Sequence, residues 1–227
     1  MIKAVVFDLD DTLYNERDFV YNGFLEVSKY ISTKYFLDIR EIYNEIIEIF
    51  LENGRGRIFN ILCKRYPFNE SIDNLVNIYR DTLPDIRLYD DALEILKRLK
   101  RNYFLGIITD GKNTVQWNKI KALNVEKYMD KIIVTDDLGK DYWKPSERPY
   151  LDILDQFKVK PSECIYIGDN PHKDFISAKK IGIITIRIVR VIGDHMGTVL
   201  SDEYEAEYKI NTLEEVERII DLINEKS

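Results

Sequence analysis

Three aspartates occupy four consecutive positions in "VVFDLDDTLY", residues 5–14: Asp8, Asp10 and Asp11. Carboxylates this close repel one another unless a cation or a proton intervenes. Val5, Val6 and Phe7 before them predict a buried strand, so the acids fall where that strand should stop. Positions i and i+2 of an extended segment point the same way, so Asp8 and Asp10 can address one ligand while Leu9 faces the core. One acid can attack phosphorus while the other handles the leaving-group proton. Three more segments carry matching chemistry: Thr109-Asp110-Gly111, Lys144-Pro145, and Gly168-Asp169 running on to Asp174. Asp8 and Asp169 offer hard oxygen ligands suited to Mg²⁺, and a cation is what lets a phosphate dianion approach so many carboxylates. Lys144 offers positive charge to phosphoryl oxygens and to Asp8, and Pro145 restricts its backbone to extended conformations. Thr109 offers a hydroxyl donor. Gly111 and Gly168 are expected to let backbone approach the ligand closely.

The elements that must position these residues are legible as an alternation. Strand-like runs recur at Tyr103–Ile108, Lys131–Thr135, Cys164–Ile167, Ile184–Val189 and, more weakly, Ala206–Ile210. Most are apolar on both faces, as in a parallel sheet covered on two sides. Helical patterns lie between them at Ala92–Lys100, Thr114–Leu123, Pro149–Phe157 and Pro171–Ile181, and a last helix opens with the capping-box spacing Thr212-Leu-Glu-Glu215. That order predicts a doubly wound, Rossmann-like α/β core. In such sheets ligands bind at the carboxyl ends of the strands, where all four polar segments fall. Residues 14–88 break the rhythm with amphipathic stripes only: Val20, Phe24, Val27, Ile31; Ile42, Ile46, Ile47, Phe50; and Ile72, Leu75, Val76, Tyr79. They predict an all-helical lobe inserted after the first strand, with the core made of residues 1–13 and 89–227. Inside the lobe, "NGRGR" (Asn53 to Arg57) reads as a loop. Arg55 and Arg57, one residue apart, can point to one side of it and bind a carboxylate or second phosphate on a substrate.

Taken together, "FDLDDTL", "IITDG", "WKPSERPY" and "YIGDNPHKDF" resemble, in order and in kind, the four motifs of the haloacid dehalogenase superfamily, in the subgroup with a helical cap after the first motif. The resemblance implies Asp8 as a nucleophile forming an aspartyl-phosphate, and Asp10 as general acid and then base for the hydrolytic water. It implies that Thr109 and Lys144 bind the phosphoryl group, that Mg²⁺ is held by Asp8, the Asp10 carbonyl and Asp169, and that Asp174 orients a metal-bound water or Lys144. True 2-haloacid dehalogenases lack an acid at the position of Asp10 and need no metal, so its presence points to phosphate esters. Where the family often has Thr-Asn-Gly this chain has Thr109-Asp110-Gly111, which makes Asp110 a candidate substrate contact. The implied activity is a Mg²⁺-dependent phosphatase of a small phosphorylated metabolite. A phosphomutase would use the same residues but return the phosphoryl group to a sugar. A phospho-accepting receiver or binding module is disfavoured, because receivers place the accepting Asp on a later strand and carry no inserted lobe.

Composition narrows the classes. The 227 residues carry a net charge of −7, from 33 basic and 40 acidic side chains, which disfavours a duplex nucleic-acid binder. Two cysteines, Cys63 and Cys164, far apart in apolar surroundings, suggest free thiols in a reducing compartment. A strand beginning within three residues of Met1 leaves no room for a signal peptide, and no apolar run is long enough for a membrane span. A cytoplasmic protein is the expectation, with no membrane partner. His172 is expected on the surface, His195 in a structural role, and Lys179, Lys180, Arg187 and Arg190 on solvated faces. Gln116 and Lys119 are expected to pack or to face solvent on their helix.

Overall fold

The computed structural model describes residues 1–225. Their strands are β1 (Ala4–Phe7), β2 (Phe104–Thr109), β3 (Lys131–Val134), β4 (Cys164–Gly168), β5 (Ile184–Ile188) and β6 (Tyr208–Ile210). They form one sheet in the order β3-β2-β1-β4-β5-β6, and every neighbouring pair is parallel. This is the doubly wound arrangement expected from the alternation. β1 is central because all four of its residues are buried; Ala4 pairs with Phe104 on one side and Cys164 on the other. β-Branched residues on both faces suit that double burial.

Nine α-helices of five to twenty residues follow in chain order among the described residues. Four lie between β1 and β2: α1 (Glu16–Tyr35), α2 (Ile39–Asn53), α3 (Ile58–Arg65) and α4 (Ile72–Asp81). The others are α5 (Asp90–Leu99), α6 (Asn113–Leu123), α7 (Arg148–Phe157), α8 (Ile176–Lys180) and α9 (Glu215–Glu225). The chain divides into two compact units, residues 1–16 with 87 onward, and Arg17–Ile86. In the first, Ala4, Val6, Cys164 and Tyr166 on one face of the sheet pack with Tyr150, Ile153 and Phe157 of α7 and Ala178 of α8. In the second, aromatic rings fill the centre: Phe24 lies 5.5 Å from Phe50 and 5.6 Å from Tyr79, centroid to centroid. Gly23 is required there, since a Cβ would meet the Tyr79 ring at 2.5 Å. Asp38 caps α2 and Ser71 caps α4, each with its side-chain oxygen on free N–H groups of the first turn.

The structure corrects three local expectations. The helix expected from Pro171 begins only at Ile176. Asn170 does accept the His172 N–H, but residues 171–175 form turns that swing Asp174 inward, so the cap serves a turn and not a helix. Arg187 and Arg190 are not solvated. Arg187 is 2% exposed on β5, where its guanidinium holds both oxygens of Glu205 at 2.8 Å and the His195 carbonyl at 2.7 Å. Arg190 pairs with Asp91 at 2.6 Å, donates to the Thr12 carbonyl and lies 4.1 Å over the Tyr89 ring. Both cysteines are free, as expected, and no described helix is long and apolar enough to cross a membrane.

Candidate active site

β1 ends at Phe7, and the Asp8 N–H still bonds the Ile167 carbonyl of β4 at 2.8 Å, so the Asp8 backbone is fixed by the sheet itself. Its neighbours in the sheet are β2, ending in Thr109, and β4, ending in Gly168 before Asp169. Lys144 approaches from the segment after β3, through a cis peptide bond to Pro145. Its ammonium is buried and spends all three donors inside the protein: 2.6 Å to Asp8 Oδ1, 2.7 Å to Asp174 Oδ1 and 2.9 Å to the Tyr166 hydroxyl. Asp174 is held in turn by the Tyr166 hydroxyl on Oδ1 and the Asn170 N–H, 2.9 Å from Oδ2. Gly168 makes room for it, since a Cβ there would lie 2.4 Å from Asp174 Oδ2.

Asp8, Asp169 and Asp174 bring carboxylate oxygens within 4.8 Å of one another, all buried. Burial pushes the Asp8 carboxyl up to about 7; Lys144 opposes this and Asp174 adds to it. Burial, with Asp174 and Asp8 nearby, drives Asp169 well above the usual carboxylate range. Lys144 goes the other way from what burial dictates, held well above its ordinary value by Asp174 and Asp8. Two lysines, Lys144 and Lys173, do not balance the four carboxylates of Asp8, Asp110, Asp169 and Asp174. Among the described residues, no protein donor reaches the Asp169 carboxylate, and Asp8 receives only Lys144, on Oδ1. Hard oxygen atoms so placed fit a divalent cation of the Mg²⁺ kind, with Asp174 already committed to Lys144 and the Asn170 backbone.

Asp110 is fully engaged. Its Oδ1 accepts from the Thr135 hydroxyl and the Lys144 N–H at 2.8 and 3.1 Å, and its Oδ2 from the Lys173 ammonium at 3.0 Å. Burial would raise this carboxyl, but the Lys144 and Lys173 charges hold it below the usual range. Asp110 thus ties the ends of β2, the Lys144 turn and the loop after β4 together, which an Asn could not do, since its amide nitrogen would meet the Lys173 ammonium as a second donor. Gly111 has φ +134° and a Cβ there would meet Gln116 at 3.0 Å. The space that a Cβ would fill at Gly111 and Gly168 is taken by the side chains of Gln116 and Asp174.

Asp10 is oriented by residues whose role the sequence did not disclose. Lys119 donates to its Oδ1 at 2.7 Å, the Tyr14 hydroxyl to Oδ1 at 2.5 Å, and Gln116 Nε2 to Oδ2 at 2.9 Å. The second Gln116 Nε2 proton goes to the Thr109 hydroxyl at 2.6 Å. Burial would raise the Asp10 carboxyl, but the Lys119 charge and these hydrogen bonds bring it below its ordinary value. Gln116 and Lys119, both 2% exposed, do not face solvent; they belong to the site. A signal existed: with Ile120 and Leu123 they occupy i, i+3, i+4 and i+7 of α6, where a buried stripe is read and polar residues are out of place. Tyr166 and Lys173 were likewise missed. His172 is exposed, as expected, and the His195 ring meets Asn170 Nδ2 at 3.0 Å.

Asp8, Asp10, Thr109, Asp110, Lys144, Asp169 and Asp174 thus share one compact unit. Arg55 and Arg57 lie in the other. There, exposed on the loop after α2, they line a cavity of about 300 Å³ with Phe24, Phe50, Phe59 and Tyr79. Arg57 has φ +57°, an uncommon conformation for a residue with a Cβ.

Comparison with known proteins gives concordant results. A family description, "Haloacid dehalogenase-like hydrolase", matches residues 5–188. The chain is 30% identical over 232 residues to a glyceraldehyde 3-phosphate phosphatase of Methanocaldococcus jannaschii, covering 97% of each. It is 25% identical over 228 residues to the pyrophosphatase PpaX of Bacillus mycoides, covering 98% of this chain and 99% of that one. Among solved structures, an HAD phosphatase from Thermococcus onnurineus superposes with a TM-score of 0.63 at 25% identity, over 96% of this chain and 98% of the other.

Proposed function

Since the chain belongs to the haloacid dehalogenase-like hydrolase family, we propose that it is a Mg²⁺-dependent phosphatase of a small phosphorylated metabolite, working through an aspartyl-phosphate on Asp8. The observation that carries this reading is the Asp8 carboxylate at the central strand end, bonded to buried Lys144 on one oxygen and grouped with Asp169 and Asp174. An Asp8 oxygen attacks phosphorus, and the bond from phosphorus to the substrate oxygen breaks with its electron pair on that oxygen. Asp10, protonated by the hydrolytic water of the preceding turnover, delivers the proton that the departing oxygen needs. Asp10, now a carboxylate, takes a proton from the water that attacks the aspartyl-phosphate, releasing inorganic phosphate and restoring Asp8. Lys144 and the Thr109 hydroxyl, whose own proton remains available while Gln116 donates to it, bind phosphoryl oxygens. Asp8, Asp169 and the Asp10 carbonyl would hold Mg²⁺, with Asp174 set behind Lys144. When bound, the cation supplies the positive charge that offsets repulsion between these carboxylates and the phosphate dianion.

The named relatives favour hydrolysis over return of the phosphoryl group to a sugar, and make glyceraldehyde 3-phosphate and pyrophosphate the first substrates to assay. Arg55 and Arg57, beside an aromatic-lined cavity, suit an anionic group on the part of the substrate that does not react. Free thiols and a soluble small-molecule chemistry fit a cytoplasmic setting. The test is multiple-turnover phosphate release from 4-nitrophenyl phosphate. We expect EDTA to abolish it, Mg²⁺ to restore it, and Asp8→Ala to remove turnover while leaving circular dichroism unchanged. Full activity in EDTA would remove the metal assignment, and sugar bisphosphate turnover without free phosphate would favour the mutase.

A further inference from the structure

Each acid of the first motif has a lysine of its own. Lys144 holds Asp8, and Lys119, from α6, holds Asp10. We propose that Lys119 is a positioning residue for proton transfer: with Tyr14 and Gln116 it fixes the Asp10 carboxylate in a single orientation. The proposal rests on the reading of Asp10 as the proton-transferring acid and base.

Asp10 lies beyond the last ladder residue of β1, so the sheet does not set its side chain. Left to itself, an aspartate samples several rotamers. Here three donors converge on its two oxygens, and each donor is itself locked. Tyr14 is fully buried. Gln116 is pinned between Asp10 and Thr109, across the position that Gly111 leaves open. Lys119 is buried with its ammonium between Asp10 and Glu16, the latter at 3.3 Å. Through Gln116, the proton-transferring carboxylate is coupled directly to the hydroxyl proposed to bind the phosphoryl group.

A purely stabilising role is a poor account of Lys119. Burying an ion pair commonly gains nothing over apolar side chains of the same volume, and an apolar residue would complete the α6 stripe. A phosphoryl contact is a poor account too, because the side chain is 3% exposed and its ammonium faces two protein carboxylates. What remains is orientation, where small displacements of a reacting group are expensive in rate.

The test is a double-mutant cycle on an alkyl phosphate such as glycerol phosphate, with Mg²⁺ saturating. Lys119→Met should lower kcat by about 10- to 10²-fold, less than the roughly 10²–10⁴-fold carried by acid–base catalysis itself. KM, and the inhibition constant of inorganic phosphate, should stay within about two-fold, since ground-state binding is untouched. Added to Asp10→Asn, Lys119→Met should cost no further activity, because groups acting through one another are non-additive. Tyr14→Phe, which removes one hydroxyl and leaves the charges paired, should lower kcat several-fold with the same non-additivity, and serves if Lys119→Met does not fold. Losses that multiply with that of Asp10→Asn overturn the proposal, as does a weakened phosphate inhibition constant with kcat intact. Impaired Asp10→Asn beside wild-type Lys119→Met and Tyr14→Phe removes the positioning role alone. Wild-type turnover by Asp10→Asn removes the underlying reading of Asp10.

Discussion

Gly168→Ala tests whether the site depends on Asp174 lying against the β4 backbone. The added methyl would sit 2.4 Å from Asp174 Oδ2 and 2.7 Å from Cγ, and ordinary contact begins near 3.4 Å. The carboxylate must therefore retreat by about 1 Å, which carries Oδ2 beyond hydrogen-bond range of the Asn170 N–H now at 2.9 Å. Retreat also strains the 2.7 Å contact with Lys144, whose other charged partner is Asp8. Overpacking costs roughly 1–3 kcal/mol, and a lost hydrogen bond to a charged group roughly 1.5–3 kcal/mol. A combined loss of roughly 2.5–6 kcal/mol corresponds to a Tm decrease of roughly 5–24 °C for a chain of this size. Turnover should fall further than stability explains, by about 10²-fold, because Lys144 is re-aimed by a displacement of that order. Differential scanning fluorimetry and 4-nitrophenyl phosphate hydrolysis at 25 °C read the two effects separately. Gly197→Ala is the control, since a Cβ there meets nothing within 4 Å. If Gly168→Ala keeps wild-type Tm and kcat, the close packing of Asp174 on β4 is not what orders the site.

Asp10→Asn should cost alkyl phosphates about 10²–10⁴-fold in the first chemical step and nitrophenyl phosphate far less, because an activated phenolate needs little protonation; equal losses in pre-steady-state rates would count against proton donation. Arg55→Ala or Arg57→Ala should lower kcat/KM on the best physiological substrate while sparing nitrophenyl phosphate, since remote contacts matter only to substrates that make them; identical effects on both substrates would exclude a specificity role. Asp91 accepts from Arg190, Thr212 and the Leu213 N–H, and although burial opposes them, these partners hold its carboxyl below the ordinary 3.8. A depressed carboxyl stabilises the fold above its unfolded value, so Asp91→Asn should lose about 1–3 kcal/mol at pH 7, and the gap to wild type should narrow in urea titrations as pH falls below 3.8.

The strands were legible because burial on both faces leaves an unbroken apolar run, and the motif residues because acids and glycines at strand ends stand out against it. Val5-Val6-Phe7-Asp8 and Ile165-Tyr166-Ile167-Gly168-Asp169 show both signals at once. Partnership was harder to read. Lys119 meets Asp10 across 109 positions of sequence, and nothing local to α6 specifies which carboxylate its ammonium will find. The start of α8 was misplaced because Asn170-Pro171 carries a helix-start signal that the turn 171–175 uses instead, to bring Asp174 back to Gly168. Arg187 and Arg190 read as exposed because charge usually is. Their partners, Glu205 and Asp91, come from other segments and make burial tolerable.

The sheet's strand order also dictates when this protein can begin to work. β1 has no partner close to it in sequence: Ala4 pairs with Phe104 and with Cys164. Loop-closure entropy makes such pairings late events in folding. Residues 17–86, by contrast, are helices whose contacts are largely with one another, so they can condense early and shorten the loop that β1 must close. During synthesis the apolar Ala4–Phe7 segment therefore remains without its ladder until Phe104–Thr109 has emerged, and Asp8 lacks its neighbouring Asp169 until β4 has been made. The residue that would attack phosphorus is translated before both strands that flank it and is placed only after them.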